Sequence, residues 1–434
     1  MLLRATSTRS EDVTRPPLAQ RYRSSPLASP EMPTGITNII SNEAAERFSF
    51  YGMKCILVVF MTSHLRDAQR QPAYLSEKVA LVYYHSFTSA VYLTPLGGAL
   101  LAEAVLGKYR TVVYLSLVYC GGHLALAIDE TRTGLFVGLA LVALGSGGIK
   151  PCVSAVLGDQ FGELNQHLVS TAFGYFYLAI NLGAFTSTLL TPYLLEHAGS
   201  HAAFGVPGIA MALATLAFWS GRHKYTHVPP NASRFLRSTC SPEGARALCK
   251  LIGLFGFFAV YWSLYDQSGS AWVLQAEKLD RRFLGVEWLP SQIGAINPLL
   301  ILTLVPLLHG ADFGTPLGAV SGVGRSAFFA RLGLVPRRRV RLVGLYELVA
   351  RHGVRVTPLR KIGCGLVLCA CSFLIPLQVE VWMEASGYNH SAAALAECNG
   401  AVGDGGGGGA RGCGLRPSIA WQVVAFDHVP TDCP

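Results

Sequence analysis

The sequence predicts an all-α polytopic membrane protein, a bundle of about nine transmembrane helices. Three observations lead there. Of the 434 residues, 51% are hydrophobic and only 14% are charged, where an average soluble domain carries about 25% charged residues; the mean hydropathy is +0.38. The apolar residues arrive in blocks of roughly 18 to 27, near the length that crosses a roughly 30 Å hydrocarbon core. The ionisable residues inside the first block fall at helical spacing.

The first six blocks, 36–63, 79–105, 111–128, 134–157, 169–195 and 203–221, predict an N-terminal six-helix bundle over 36–221. Blocks 250–275, 291–308 and 361–380 predict three further helices within 250–380. Residues 1–35, with Pro16, Pro17, Ser24 and Ser25, read as a disordered tail without a secretory apolar core. Residues 222–249 read as a linker, and 381–434, with Gly405 to Gly409, as an irregular glycine-rich tail.

Net charge is +9, and its placement excludes a nucleic-acid partner. Residues 309–361 hold ten Lys/Arg against two Asp/Glu, with Arg337, Arg338 and Arg339 in an inter-helix loop. Arg222, Lys224, Arg234, Arg237 and Arg246 lie between blocks six and seven, and Lys108 and Arg110 between blocks two and three. Loops of the other parity are mixed, as in Asp129, Glu130 and Arg132. Basic loops mark the cytoplasmic side, so the N-terminus is predicted inside. The eleven cysteines lack zinc spacing and read as small buried hydrophobes. No nucleophile set, phosphate loop or metal cluster argues for an enzyme, and no cofactor or metal is expected.

An ionisable side chain at membrane depth costs on the order of 2.5 to 3.5 kcal/mol, so each one is a functional candidate. In the first block, Glu43, Glu46, Arg47, Tyr51 and Lys54 fall within an arc of about 140° on one helix face. Glu43 and Arg47 form an i,i+4 pair. Lys150, beside a glycine-rich run and Pro151, needs a carboxylate, and Glu43 and Glu46 are available. Asp266, in the middle of block 250–275, has Lys54 as its natural partner. Tyr92, Asn181, Gln267 and Asn297 add uncharged donors and acceptors. Cations and carboxylates in a partly wet cavity suit an amphoteric ligand, and a buried carboxylate that alternates between salt bridge and protonated form is a coupling device.

At these residues the chain resembles the proton-dependent oligopeptide transporter family, a branch of the major facilitator superfamily. Residues 43–52, EAAERFSFYG, resemble the family's ExxERFxYYG element, with Phe50 in place of a tyrosine. Residues 173–185 resemble its aromatic-rich Asn-x-Gly signature, and 97–108 the superfamily loop between the second and third helices, with Glu103 for the usual Asp. The resemblance implies a proton-coupling cluster of Glu43, Glu46, Arg47 and Lys150. It implies a peptide cavity lined by Tyr51, Lys54, Tyr92, Asn181, Asp266 and Asn297, with Lys54 and Asp266 standing where the family has Arg and Glu.

The implied function is proton-coupled import of di- and tripeptides by alternating access, by a monomer in a lipid bilayer, at the plasma membrane or a vacuolar or other organelle membrane. A nitrate or other small-solute carrier, a non-transporting peptide receptor and a nonfunctional truncated product are the alternatives. The resemblance covers roughly 33–308 and 344–395. Residues 309–343 have no family counterpart, and of the family's twelve helices the last three are expected to be missing, leaving the second half of the bundle truncated. Unspliced sequence in the transcript is the simplest explanation.

Overall fold

A computed structural model describes residues 22–283, 285–309 and 374–385. Helix α1, Ile36–Val59, is extended by a π-helical turn at Phe60–His64. Helix α2, Glu77–Leu101, ends in a similar turn at Ala102–Leu106, and α3, Lys108–Ile128, and α4, Arg132–Gly158, follow. Helix α5, Val169–Ser220, contains two spans: at Gly199, φ is 80° and ψ 176°, a conformation that glycine adopts without steric cost. This break separates the blocks expected at 169–195 and 203–221. Helices α6, Ala232–Thr239, α7, Pro242–Tyr265, and α8, Ala271–Lys278, precede a two-residue hairpin, β1 Arg282–Phe283 with β2 Val286–Glu287, paired antiparallel. Helix α9 is Ile296–His309 and α10 is Leu374–Ala385.

Among the described residues, four helical runs are long and apolar enough to cross a membrane: Glu77–Leu106, Lys108–Ile128, Arg132–Gly158 and Glu163–His223. The distribution of polarity is that of a protein whose solvent is lipid. Leu96, Leu117, Leu124, Ile128, Phe136 and Ile209 are exposed, whereas Asn42, Glu43, Glu46, Arg47, Ser49, His123 and Ser146 are buried. With no water outside, the apolar surface costs nothing and the polar groups must pair inside. Helix α1 packs most extensively on α5, and α4 on α3 and α2. The α1–α5 contact is close because residue 183 is glycine; a Cβ there would collide with the Ala44 carbonyl and the Phe48 backbone nitrogen.

Two expectations need correction. The seventh block, expected to run as one helix through Asp266, begins earlier at Pro242 and breaks at Tyr265, and Asp266 opens a 3-10 turn, Asp266–Gly269. The Ser270 hydroxyl donates to the Asp266 carbonyl at 3.1 Å, a local contact four residues along, and Gly269 lies against the Tyr84 hydroxyl of α2, so one local and one tertiary contact flank the break. Residues 22–35, expected to belong to a disordered tail, are held in place. Arg23 donates to the Lys224 carbonyl at 2.6 Å, the Tyr22 ring lies 4.4 Å from that of His227, and Asn165 donates to the Glu31 carbonyl at 3.2 Å. Residues 1–21, the basic segment 310–343, block residues 361–373 and the tail from 386 lie outside the described residues.

Candidate functional site

The site grows from the polar stripe of α1. Arg47 Nε lies 2.9 Å from Glu43 Oε1 and 2.5 Å from Glu46 Oε2. All three side chains are buried, with Glu46 only 1% exposed. Two carboxylates held by one guanidinium leave a formal charge of −1. Lys150 of α4, an electrostatic neighbour of both glutamates, brings the sum to zero. A single proton added to either carboxyl would therefore bring the formal sum to +1.

Lys150 is not where the sequence expectation put it. Its ammonium makes no ion pair within 4.0 Å among the described residues, because Arg47 occupies both carboxylates. It lies instead 4.5 Å from the Phe50 ring centroid and 5.4 Å from that of Tyr92, a cation–π arrangement.

A second charged pair joins α1 to the break after α7. Lys54 Nζ donates to Asp266 Oδ1 at 2.8 Å, as the sequence led us to expect, and Lys54 also lies 5.3 Å from the Tyr84 ring centroid. The 3-10 turn aims the Asp266 carboxylate back toward α1. Around this pair, Tyr51 packs edge-on to Phe50 at 5.5 Å and is an electrostatic neighbour of Arg47, Tyr92 and Tyr265. Tyr92 is exposed, with its ring 5.8 Å from Trp262.

The amides are more committed than the sequence suggested. Asn181 Nδ2 donates to the Tyr177 carbonyl at 2.9 Å within its own helix, Gln267 donates to the Ser263 carbonyl at 3.3 Å, and Asn297 Oδ1 accepts from the Tyr265 hydroxyl at 3.4 Å. Asn181 and Asn297 are buried. A ligand that engaged Asn297 would compete with Tyr265.

Sequence reasoning passed over five contributors. Ser146 of α4 donates to Glu46 Oε1 at 3.2 Å; Ser49 pairs with His123 at 2.7 Å; and His85 of α2 pairs with Ser270 at 3.2 Å, beside the Lys54–Asp266 bridge. His85 and His123 sit inside apolar blocks, so the rule that flagged the α1 charges would have flagged them too. No group of three or more His, Cys, Asp or Glu that could hold a metal occurs among the described residues.

The sequence model of the POT family matches residues 109–241 and 237–318. The chain is 34% identical over 405 residues to "Peptide transporter family 1" of Drosophila melanogaster, covering 82% of this chain and 49% of that protein. It is 32% identical over 416 residues to human "Solute carrier family 15 member 2", covering 85% of this chain and 51% of that protein. The chain thus spans about half the length of the curated relatives it matches. Among solved structures, the in meso crystal structure of the POT family transporter PepTSo superposes with a TM-score of 0.68 at 29% identity, over 92% of this chain and 81% of that one. The family model, the relatives and the shared fold agree with the α1 cluster: the chain belongs to the POT family.

Proposed function

We propose that this chain carries the machinery of a proton-coupled symporter that imports di- and tripeptides by alternating access. The observation that carries the reading is the sharing of Arg47 between Glu43 and Glu46, beside a separate Lys54–Asp266 bridge. The first set suits proton uptake, since protonating one carboxyl frees Arg47 from one partner. The second suits the ligand. Opening the bridge exposes one cation for a peptide carboxylate and one carboxylate for a peptide ammonium, at the junction of α1 with the segment after α7. Tyr51, Tyr92, Asn181 and Asn297 would then contact the peptide backbone. The named relatives, a peptide transporter among them, support the substrate class. The basic loops support a cytoplasmic N-terminus, and the lipid-facing leucines an integral position in the bilayer.

The test is uptake of a labelled dipeptide into proteoliposomes containing a twelve-helix version of the protein, with and without an inward proton gradient, beside nitrate uptake in the same preparation. Gradient-dependent dipeptide accumulation is expected. Saturable dipeptide binding without counterflow would indicate a receptor, and nitrate accumulation without dipeptide accumulation would replace the substrate.

A further inference from the structure

Beside the α1 cluster lies a polar group that the coupling scheme does not use. Ser49 of α1, Tyr119 and His123 of α3 and Ser146 of α4 are each wholly buried. Ser49 Oγ and His123 Nε2 are 2.7 Å apart. The His123 ring stacks on that of Tyr119 with centroids 5.0 Å apart and planes at 28°. The Tyr119 hydroxyl in turn is a neighbour of Glu46, Arg47, Ser49 and Ser146. Ser146 donates to Glu46 directly.

An imidazole placed among lipid-facing helices has a desolvation cost that its surroundings must offset. Here the offset is a hydrogen bond to the residue one turn along from Glu46 and a stack on the tyrosine that borders Glu46. We propose that His123 is a positioning residue for Glu46, acting through Ser49 and Tyr119 to fix the hydroxyl shell in which that carboxyl gains and loses its proton. This rests on the proton-coupling role proposed above for Glu46.

The charged and titratable groups around the shell are Glu43, Glu46 and Arg47 on α1, Tyr119 on α3 and Lys150 on α4. On its other side His123 meets α5 at Gly208 and Phe204, which do not titrate. Among these groups His123 reaches Glu46 only through Ser49 and Tyr119. Removing Ser49 or the His123 ring takes away what holds the Tyr119 hydroxyl beside the carboxylate, and a less fixed O–H neighbour favours the protonated form.

The test is an infrared pH titration of the full chain in lipid, following the protonated-carboxyl band that Glu46→Gln removes. No peptide is needed. Ser49→Ala and His123→Phe should each move the midpoint of that band to higher pH by about one unit, and His123→Gln, which can still bond Ser49, should restore it. An unchanged midpoint in Ser49→Ala overturns the proposal, and that small substitution decides the matter if His123→Phe does not fold. A shift in Ser49→Ala without one in folded His123→Phe also overturns it, as does the absence of a titrating Glu46 band in the unaltered chain. Dipeptide uptake is scored separately. Midpoints that move while uptake fails would remove the transport reading and leave the positioning role standing.

Discussion

Lys54 and Asp266, 212 positions apart in the chain, meet at 2.8 Å with side chains 12% and 8% exposed. The pair is short and shielded from water, so the loss of one partner leaves the other charge without compensation. Breaking a buried pair typically costs about 3 to 5 kcal/mol, whereas replacing both partners by apolar residues costs much less. Lys54→Met and Asp266→Leu alone should each lower the melting temperature of the detergent-solubilised chain, and the double variant should regain most of the loss. Additive losses would show that the two residues do not depend on each other.

Glu43 and Glu46 should separate driven uptake from exchange. Gln keeps the size of the carboxyl and mimics its neutral form, so in a twelve-helix version of the protein Glu43→Gln or Glu46→Gln should cut proton-driven accumulation by at least about tenfold and spare peptide-for-peptide counterflow. Arg47 keeps one partner in either variant, which preserves the fold. Lys54→Ala should instead chiefly weaken peptide affinity. Both fluxes, normalised to folded protein, make the comparison; Gln variants with undiminished driven accumulation would take the two glutamates out of the coupling scheme.

Gly183 sets the approach of α5 to α1. A Cβ there meets backbone atoms of Ala44 and Phe48, which cannot swing aside, so Gly183→Ala should destabilise by about 1 to 3 kcal/mol, as overpacking does. Gly205, in the same helix, has nothing within 4 Å of its Cβ position, and Gly205→Ala should be neutral or stabilising by up to about 1 kcal/mol. Equal melting temperatures for the two variants would mean that the close approach is not a constraint.

How far the sequence reveals this site depends on whether a residue's partner lies along its own helix. The Glu43–Arg47 contact follows from i,i+4 geometry. Lys54–Asp266 follows because each charge is costly alone and few opposite charges remain. Spacing gives a face and not a distance, so the sequence alone pairs Lys150 with a carboxylate although Arg47, on the glutamates' own helix, occupies both. The break at Asp266 lies against Tyr84 of α2, a contact with no local signature. Asn181 and Asn297 illustrate the same limit: the sequence places them in the interior and does not show that Tyr177 and Tyr265 already engage them. Helices α1 to α5 coincide with the apolar blocks between 36 and 221 because blocks and turns alternate there with little ambiguity, whereas the start of α7 at Pro242 falls in a segment whose charges read as a linker.

Topology can be tested with the two glycosylation sequons. Asn231-Ala232-Ser233 follows α5, and the Asn231 backbone nitrogen donates to the Glu103 carbonyl at 2.8 Å, which places it at the end of the bundle bearing Lys108 and Arg222. Asn389-His390-Ser391 lies outside the described residues, after the ninth block. Of the two, only Asn389 should carry glycan. A mobility shift lost in Asn231→Gln would invert the orientation.

At that same end of the bundle, His227 should make the attachment of the N-terminal segment pH-dependent. Its backbone nitrogen donates to the Arg23 carbonyl at 2.7 Å, its Nε2 lies 2.7 Å from the Arg222 carbonyl oxygen, and its ring packs on Tyr22 at 4.4 Å and Tyr109 at 4.8 Å. Burial pushes the imidazole below its usual range; the Arg222 carbonyl opposes that, and His223 and Arg110 push further down. A base whose value is lowered on folding binds fewer protons folded than unfolded. Its contribution is therefore complete above the unfolded value of about 6.5 and is lost as the pH falls through the lowered one. Hydrogen exchange, corrected for the intrinsic rate, should show the Thr226 and His227 amides protected at neutral pH and opening as the pH falls below about 6. Thr226 reports because its amide donates to Gln160 Oε1 at 3.0 Å within the same clasp. His227→Gln keeps a side-chain donor for the Arg222 carbonyl and cannot titrate, so its protection should be flat over that range. An equal loss of protection in His227→Gln would assign the acid sensitivity to another group, with His223 the nearest candidate.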